Sequence, residues 1–253
     1  MRPIRILLLT VVSTIVAAVV AYAVAIRPWI RAWGTDETEA QMALPGDELV
    51  AEPLAVETRA VTITAPVSAV WPWLAQLGSG RGGWYSFESR GSKMTSSDVI
   101  LPEYQSLAAG DILTVSDGGP TFEVKSVDPE HSLVLFTDTS MMRPIVEAEA
   151  GAEEASKMPE FSATWGFYLQ PTDDGGTRLI ERFRAQTAVK GPQAAVMSEL
   201  MGTGIVLMAR KQMLAIKERA ERAAFDKPTG SHEPHIEIPD LATDELPEPA
   251  AAI

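Results

Sequence analysis

Glu181 is the residue in this sequence best placed for acid–base chemistry, because it interrupts an otherwise apolar strand face. In the run 177–186, Glu181 alternates with Leu179, Phe183 and Ala185 on the same side of a predicted strand. Burial of a carboxylate disfavours its charged form and raises its pKa, towards values that suit proton transfer. Glu181 is therefore the candidate catalytic residue, with Tyr85, Glu103 and Tyr104 behind it.

The alternative interpretation of Glu181 is a solvated glutamate or one paired with an arginine. A single β-bulge in the strand would turn its side chain outward, since successive residues point to opposite faces. The sequence favours this second interpretation over a catalytic one.

The residue types that are scarce exclude several mechanisms. There is no cysteine, which removes disulfides, thiolate nucleophiles and thiolate metal ligands. The three histidines are His131, His232 and His235, too few and too scattered for a Ser-His-Asp triad or a three-histidine zinc site. The pair His232 and His235 could hold a metal weakly, but exposed histidines in an acidic tail are the favoured interpretation. We therefore predict no metal and no cofactor.

The glycine-rich stretch 78–83, GSGRGG, formally contains a G-x-G-x-x-G motif. A dinucleotide site requires a strand before the motif and a helix after it, whereas here the glycines follow a helical pattern. We predict a mobile loop, in which Arg81 could bind an anionic group of a ligand or lie in solvent.

Charge is divided unevenly along the chain. Four of the 21 Lys and Arg residues lie at or before residue 31, whereas all 34 Asp and Glu residues lie beyond residue 35. The rest of the chain thus carries 17 basic against 34 acidic residues, a balance that repels phosphate backbones. Nucleic-acid binding is excluded on this ground.

Residues 6–26 are uncharged and mostly Leu, Ile, Val and Ala. As a helix they would extend roughly 31 Å, enough to cross a bilayer core once. Arginines and tryptophans flank the segment, so residues 1–31 are predicted to be a single-pass anchor, with the soluble domain on the exported side. The alternative is a signal peptide cleaved at 21–23 or 23–25, which would release a secreted protein.

The remaining elements follow from apolar periodicity and turn residues. Residues 32–57 read as a linker, residues 66–77 as a short helix interrupted by Pro72, and residues 138–160 as an acidic insertion or long loop. A long helix is predicted from Gly191 to about Phe225, and its Gly202 and Gly204 suggest close approach to another element. Residues 226–253 are predicted to be a disordered acidic tail. Strands are predicted at 58–64, 111–115, 121–127, 133–136, 161–169 and 177–186.

Residues 58–225 resemble the SRPBCC superfamily, also called START-like. The resemblance lies in the stretches TRAVTITAPVSAVWPWLAQLG with GRGGWYSFE, LPEYQSLAAGD, and TWGFYLQPTDDGGTRLIERFRA, which look like a bacterial branch of membrane-anchored SRPBCC proteins. It implies an α+β helix-grip fold, in which a curved antiparallel sheet wraps on a long C-terminal helix, here preceded by one transmembrane helix.

The resemblance also implies a largely apolar cavity between the sheet and the last helix. Each residue assigned to this cavity has ordinary core packing as its alternative, because cores and cavities share composition. The predicted ligand-binding residues are Trp71, Arg81, Trp84, Tyr85, Trp165, Phe167, Phe183, Met197 and Met201.

Three functions are open at this point, in order of preference. The first is a membrane-tethered module that binds a small hydrophobic molecule such as a lipid, isoprenoid or polyketide-like compound. The second is a cyclase- or dehydratase-type enzyme that uses Glu181 to move a proton, with Arg81 or a tyrosine near the oxyanion. The third is an envelope interaction or stress protein with the tail and the insertion as contact surfaces. The ligand and the oligomeric state do not follow from the sequence.

Overall fold

A computed structural model describes residues 10–28 except 12, 15 and 19, together with residues 32–86, 96–116, 119–189 and 191–225. The side chains of 23, 26, 192–198, 200, 201 and 203 are not described. The predicted acidic tail, with His232 and His235, lies outside the described residues, as do residues 6–9 of the predicted membrane segment.

Six antiparallel strands form one sheet within the described residues, in the order β1-β6-β5-β4-β3-β2. Every strand that the sequence predicts is present, because alternation and turn residues mark each one. Strands β2 to β6 pair in sequence order, and β6 also pairs with β1, the first strand of the chain. The bounds are β1 Ala55–Ile63, β2 Ile112–Thr114, β3 Thr121–Asp128, β4 Ser132–Asp138, β5 Phe161–Pro171 and β6 Thr177–Thr187.

Beyond residue 32, the described residues form five α-helices, and short 3-10 and π-helical turns complete the helical elements. Pro72 lies inside α2, so the predicted interruption leaves one helix rather than two pieces. The helices are α1 Glu37–Gln41, α2 Val67–Ala75, α3 Thr139–Ala150, α4 Ala152–Ser156 and α5 Pro192–Phe225. The turns are the π-helical Tyr22–Ile26 and the 3-10 segments Asp47–Val50 and Pro102–Tyr104.

The insertion 138–160 contains α3 and α4, so its interpretation as a long loop was wrong. Asp138 caps α3, because its carboxylate accepts a hydrogen bond from the backbone N–H of Met141 at 3.2 Å. In these two helices, both fully described, Thr139 and Ala155 are the buried residues. With so little apolar surface to bury, the helices lack the periodicity that reveals helices in a sequence.

Helix α5 packs along β1 on one face of the sheet. Lys217 Nζ donates to the Thr62 carbonyl at 2.7 Å, and the Thr64 N–H donates to Glu221 Oε1 at 2.7 Å. Met213 of α5 joins an apolar core built from α2 and the facing sides of β1, β4, β5 and β6. A six-stranded antiparallel sheet with a long C-terminal helix on one face is consistent with the predicted helix-grip fold. We call this side of the sheet the interior face.

The opposite, outer face is covered by residues 36–50, which belong to the predicted linker 32–57. Arg182 of β6, with its side chain buried, donates to the Met42 carbonyl at 2.6 Å and to Asp47 Oδ2 at 2.9 Å. Arg178 forms a bidentate pair with Glu39, in which both N–O distances are 2.7 Å. Arg178 and Arg182 together with residues 36–50 form the outer-face clamp. The linker prediction did not anticipate this packing, because it took no account of the arginines that alternate on β6.

The described part of the N-terminal segment is helical and reaches α5. Tyr22 Oη donates to Glu199 Oε1 at 3.1 Å, and Arg27 Nε donates to the same oxygen at 2.8 Å. Among the described residues, no helix combines the length and the apolar character that crossing a membrane requires.

Trp33 and Gly34 join the N-terminal segment to the sheet. The Trp33 carbonyl accepts from the Ala60 N–H at 3.1 Å, and the guanidinium of Arg210 lies 4.9 Å from the centre of the Trp33 ring. Gly34 has a φ of +77°, and a Cβ there would overlap the Ala60 carbonyl oxygen. The chain can pass this close to β1 because residue 34 is glycine.

Candidate functional site

A buried charged cluster lies on the interior face at the junction of β1 and β6. Strand alternation places Glu57 and Arg59 of β1 and Glu181 of β6 on this face, and none of the three is more than 3% exposed. Arg59 Nη1 donates to Glu181 Oε2 at 3.0 Å, and Arg59 Nη2 forms a short hydrogen bond with Glu57 Oε2. We call these three residues the buried triad.

Trp165 of β5 extends the triad towards the surface. Its Nε1 donates to Glu181 Oε1 at 2.6 Å, so both carboxylate oxygens of Glu181 accept a hydrogen bond. Its ring stacks on Trp84 with 5.2 Å between centroids and 8° between planes. Trp84 is fixed in turn by a 3.0 Å hydrogen bond from its Nε1 to the Thr114 carbonyl. Trp165 is partly exposed, so it connects the buried triad to the surface of the domain.

The triad contains two carboxylates and one guanidinium. Burial lowers the pKa of Arg59, but the charges and hydrogen bonds of Glu181 and Glu57 outweigh it and hold that pKa above its ordinary value. The arginine therefore stays charged, and the three groups together carry one negative charge when both glutamates are ionised.

Helix α5 lies directly over the triad at Gly202. A Cβ at Gly202 would lie 3.6 Å from Glu57 Oε1, an ordinary contact, whereas a Cβ at Gly204 would have open space around it. The predicted close approach of these two glycines thus holds for Gly202 and is wrong for Gly204. A larger side chain at residue 202 would lie against the Glu57 carboxylate.

Glu181 lies on the apolar face, as the alternation in β6 predicts, and it is paired with an arginine. Sequence reasoning missed that partner, Arg59, and also Glu57. The strand was predicted to begin at Thr58, and two charged residues near a strand end are usually exposed. The usable signal was the alternation itself, which places Glu57 and Arg59 on the same face as Val61 and Ile63.

Arg81 does not point to the buried triad. Its Nη2 donates to the carbonyls of Ala75 and Tyr104, at 2.9 and 3.1 Å, and its guanidinium lies 4.7 Å from the centre of the Tyr104 ring. Burial lowers its pKa. Backbone hydrogen bonds between Gly78 and Gly83 close the loop. Arg81, within this loop, bonds the carbonyl of Ala75, the last residue of α2. Both carbonyl contacts use Nη2, so whether Arg81 also binds an anionic group of a ligand stays a prediction.

Tyr85 is buried in the core with a φ of +54°, a conformation that is rare outside glycine. Its hydroxyl accepts from Gln76 Nε2 at 2.7 Å, and Arg219 lies 5.0 Å from its ring centre. Burial raises the pKa of Tyr85 to about 12, so the phenol keeps its proton near neutral pH and is a poor acid.

The other predicted site residues separate into core, interior face and undescribed positions. Trp71 and Phe167 are buried members of the core, Phe183 is partly exposed next to the triad, and Glu103 is exposed in a 3-10 turn. The side chains of Met197 and Met201 lie outside the described residues. Whether any of these residues contacts a ligand stays a prediction.

The arrangement suits binding of a polar group better than proton transfer. Both Glu181 oxygens already accept hydrogen bonds, from Arg59 and Trp165, so the side chain would have to break one of them to take a proton from a substrate. Among the described residues, no group of three or more His, Asp or Glu side chains is arranged to hold a metal ion.

No protein-family model matches the sequence, and no curated protein matches it. Solved structures with a similar backbone include MLL2253 from Mesorhizobium loti, with 15% identity, a TM-score of 0.38, and coverage of 66% of this chain and 98% of that protein. Ara h 8.0201 has 11% identity and a TM-score of 0.34, with 66% and 97% covered. The hypothetical protein jhp0584 from Helicobacter pylori has 10% identity and a TM-score of 0.42, with 74% and 99% covered. The fold assignment rests on the strand order and the position of α5.

Proposed function

We propose that this protein binds one small, mostly apolar molecule between the interior face of the sheet and α5. The observation that carries the proposal is the buried triad of Glu57, Arg59 and Glu181, set in an apolar core and reached from the surface by Trp165. Charges are costly to bury unless they are paired, and this pairing leaves polar groups inside the domain. A ligand with an apolar body and one polar end matches both parts of this site.

The N-terminal segment supports the second part of the proposal, that the domain works at a membrane. Residues 6–26 have the length and composition of a bilayer-spanning helix, and Arg27 after them pairs with Glu199 on α5. The segment thus meets the helix that covers the triad. A domain held there on the exported side of a membrane would exchange apolar ligands with lipid over a short path.

The test is recovery of a ligand from the full-length protein. Protein purified in detergent is extracted with organic solvent, and the extract is compared by mass spectrometry with a blank of the same micelles. We expect an apolar compound with a polar end, at up to one molecule per chain. Incubation with total host lipid before extraction covers the case in which the ligand is lost during purification.

Two variants identify where the compound binds. Trp165→Ala removes the accessible end of the triad and should lower recovery several-fold. Phe225→Ala, at the exposed far end of α5, should leave it unchanged. Equal recovery from both variants, or no compound above the micelle blank with and without added lipid, would show that the proposal is wrong.

A cyclase- or dehydratase-type enzyme remains the alternative, supported by the position of Glu181 on the interior face. It requires chemical change of a bound compound. If the compound is recovered chemically unaltered after incubation with the protein, and Glu181→Gln does not change this result, the protein binds the compound without converting it.

A further inference from the structure

Three buried polar side chains that border the interior have atoms without a hydrogen-bond partner among the described residues. They are Gln212 of α5, through both amide atoms, Arg59 through Nε, and Trp73 of α2 through Nε1. None of the three residues is more than 2% exposed, so bulk water does not satisfy them. Buried polar groups in native proteins are nearly always paired, and such exceptions indicate a missing water or ligand.

These side chains lie on β1, α2 and α5, three elements that all contribute to the apolar core between the sheet and α5. Arg59 lies on the interior face of β1, and Trp73 belongs to the apolar core together with Met213 of α5. Gln212 precedes Met213 and is buried with it and with Ala209, so it lies on the packed side of α5. A molecule held in this space would meet polar groups from more than one side.

The chemistry of the unpartnered atoms restricts what they can bind. Arg59 Nε and Trp73 Nε1 only donate hydrogen bonds, whereas the amide of Gln212 both donates and accepts. An oxygen atom that accepts, and that can also donate to Gln212, meets these requirements, and a hydroxyl group does both. A hydrocarbon would leave all of these groups unsatisfied.

The charge of the ligand's polar group decides whether the interior accepts a hydroxyl group or a carboxylate. A carboxylate brought into this core would lose its hydration and would need a cation as partner, and the buried guanidinium there, that of Arg59, is already engaged by Glu57 and Glu181. Arg27 also acts on Glu57, but it is 42% exposed and paired with Glu199. The interior therefore favours a neutral polar group over a carboxylate or a phosphate.

We infer that the ligand is a neutral, oxygenated apolar molecule, typified by a long-chain alcohol, and that Gln212 determines the preference for its hydroxyl group. This inference rests on the proposed function, since it specifies the ligand of the same site.

In the experiment, the full-length protein is solubilised in detergent at pH 8 and incubated with an equimolar mixture of 1-hexadecanol, hexadecanoic acid and hexadecane. After gel filtration, the retained compounds are extracted and quantified by gas chromatography against protein-free micelles. A second mixture with the ten-carbon homologues tests the case in which the interior is too small for a sixteen-carbon chain. We expect retention of the alcohol to exceed that of the acid and the hydrocarbon by about tenfold, the ratio that one well-placed hydrogen bond gives.

Gln212→Leu tests the assigned residue, and Gln170→Leu, at an exposed position of β5, is its control. The first variant should reduce retention of the alcohol to that of the hydrocarbon while retention of the hydrocarbon is unchanged, and the second should match the unmodified protein.

The outcomes separate the two proposals. If the unmodified protein retains none of the six compounds, the proposed function fails for this chemistry. If it retains them but favours the acid, or favours none, the inference is overturned while binding stands. An alcohol preference that survives in Gln212→Leu also overturns it, because water then satisfies the amide.

Discussion

Arg59 lies directly opposite Glu181 in the register of β1 and β6, and a 3.0 Å hydrogen bond joins Arg59 Nη1 to Glu181 Oε2. Both side chains are fully buried. A buried ion pair adds little net stability over an apolar pair of similar volume, but removal of one partner leaves an unpaired buried charge. The pair is thus costly to break, whatever its net contribution to stability.

Replacement of Arg59 by Met should lower the free energy of unfolding by about 3–5 kcal/mol, because it leaves the buried Glu181 carboxylate without the guanidinium that pairs with it. Denaturant unfolding measures the change. Arg222→Met, which removes an exposed ion pair with Glu218, should cost less than about 1 kcal/mol. Similar costs for the two variants would mean that the triad is hydrated.

Gln212 and Gln76 form a matched pair, since both are buried glutamines with opposite hydrogen-bond status. The Gln76 amide bonds Tyr85, Val99 and the Leu101 N–H, whereas neither amide atom of Gln212 has a hydrogen-bond partner in the described part of the chain. In ligand-free protein, Gln212→Leu should therefore raise the free energy of unfolding and Gln76→Leu should lower it, each by about 1–3 kcal/mol. Thermal unfolding gives the sign of each change. A loss of stability in Gln212→Leu would indicate that its amide has a partner.

The parallel stack of Trp84 and Trp165 should give an exciton couplet in the far-ultraviolet circular dichroism spectrum. Trp84→Phe and Trp165→Phe should each abolish the couplet, whereas Trp33→Phe, in a ring that contacts Arg210, should leave it in place. Because Trp165 is partly exposed and bonds Glu181, a bound ligand should alter the couplet. Identical spectra for all three variants would contradict the stack.

The outer-face clamp should make stability sensitive to acid. The hydrogen bond from Arg178 holds the pKa of Glu39 below its ordinary value of 4.5, with burial opposing it. The contribution of a carboxylate with a lowered pKa is fully present above its unfolded pKa and is lost as the pH falls through its folded pKa. Urea unfolding from pH 7 down to about pH 3 should thus show a smaller acid-side loss in Glu39→Gln than in the unmodified protein. An equal loss would mean that Glu39 does not contribute.

Alternation and turn residues predicted the strands and the long α5, because each buries an apolar face with a clear period. Glu181 was predicted on the interior face for the same reason. Arg59 could not be assigned as its partner, since the pairing depends on the β1–β6 register, which joins residues 122 apart in sequence. The outer-face clamp was missed because Glu39 and Asp47 meet their arginines across similar separations, and α3 was missed because an exposed helix lacks an apolar period.

The outer-face clamp and the buried triad lie on opposite sides of the same strand, at consecutive residues. Arg182 holds residues 36–50 on one side of β6, and Glu181 holds Arg59 on the other. A mechanical load applied to residues 36–50 would therefore reach β6 through the guanidinium of Arg182, one peptide away from Glu181. Strain on the outer face thus has a short path, from residues 36–50 through β6 to the charges inside the domain.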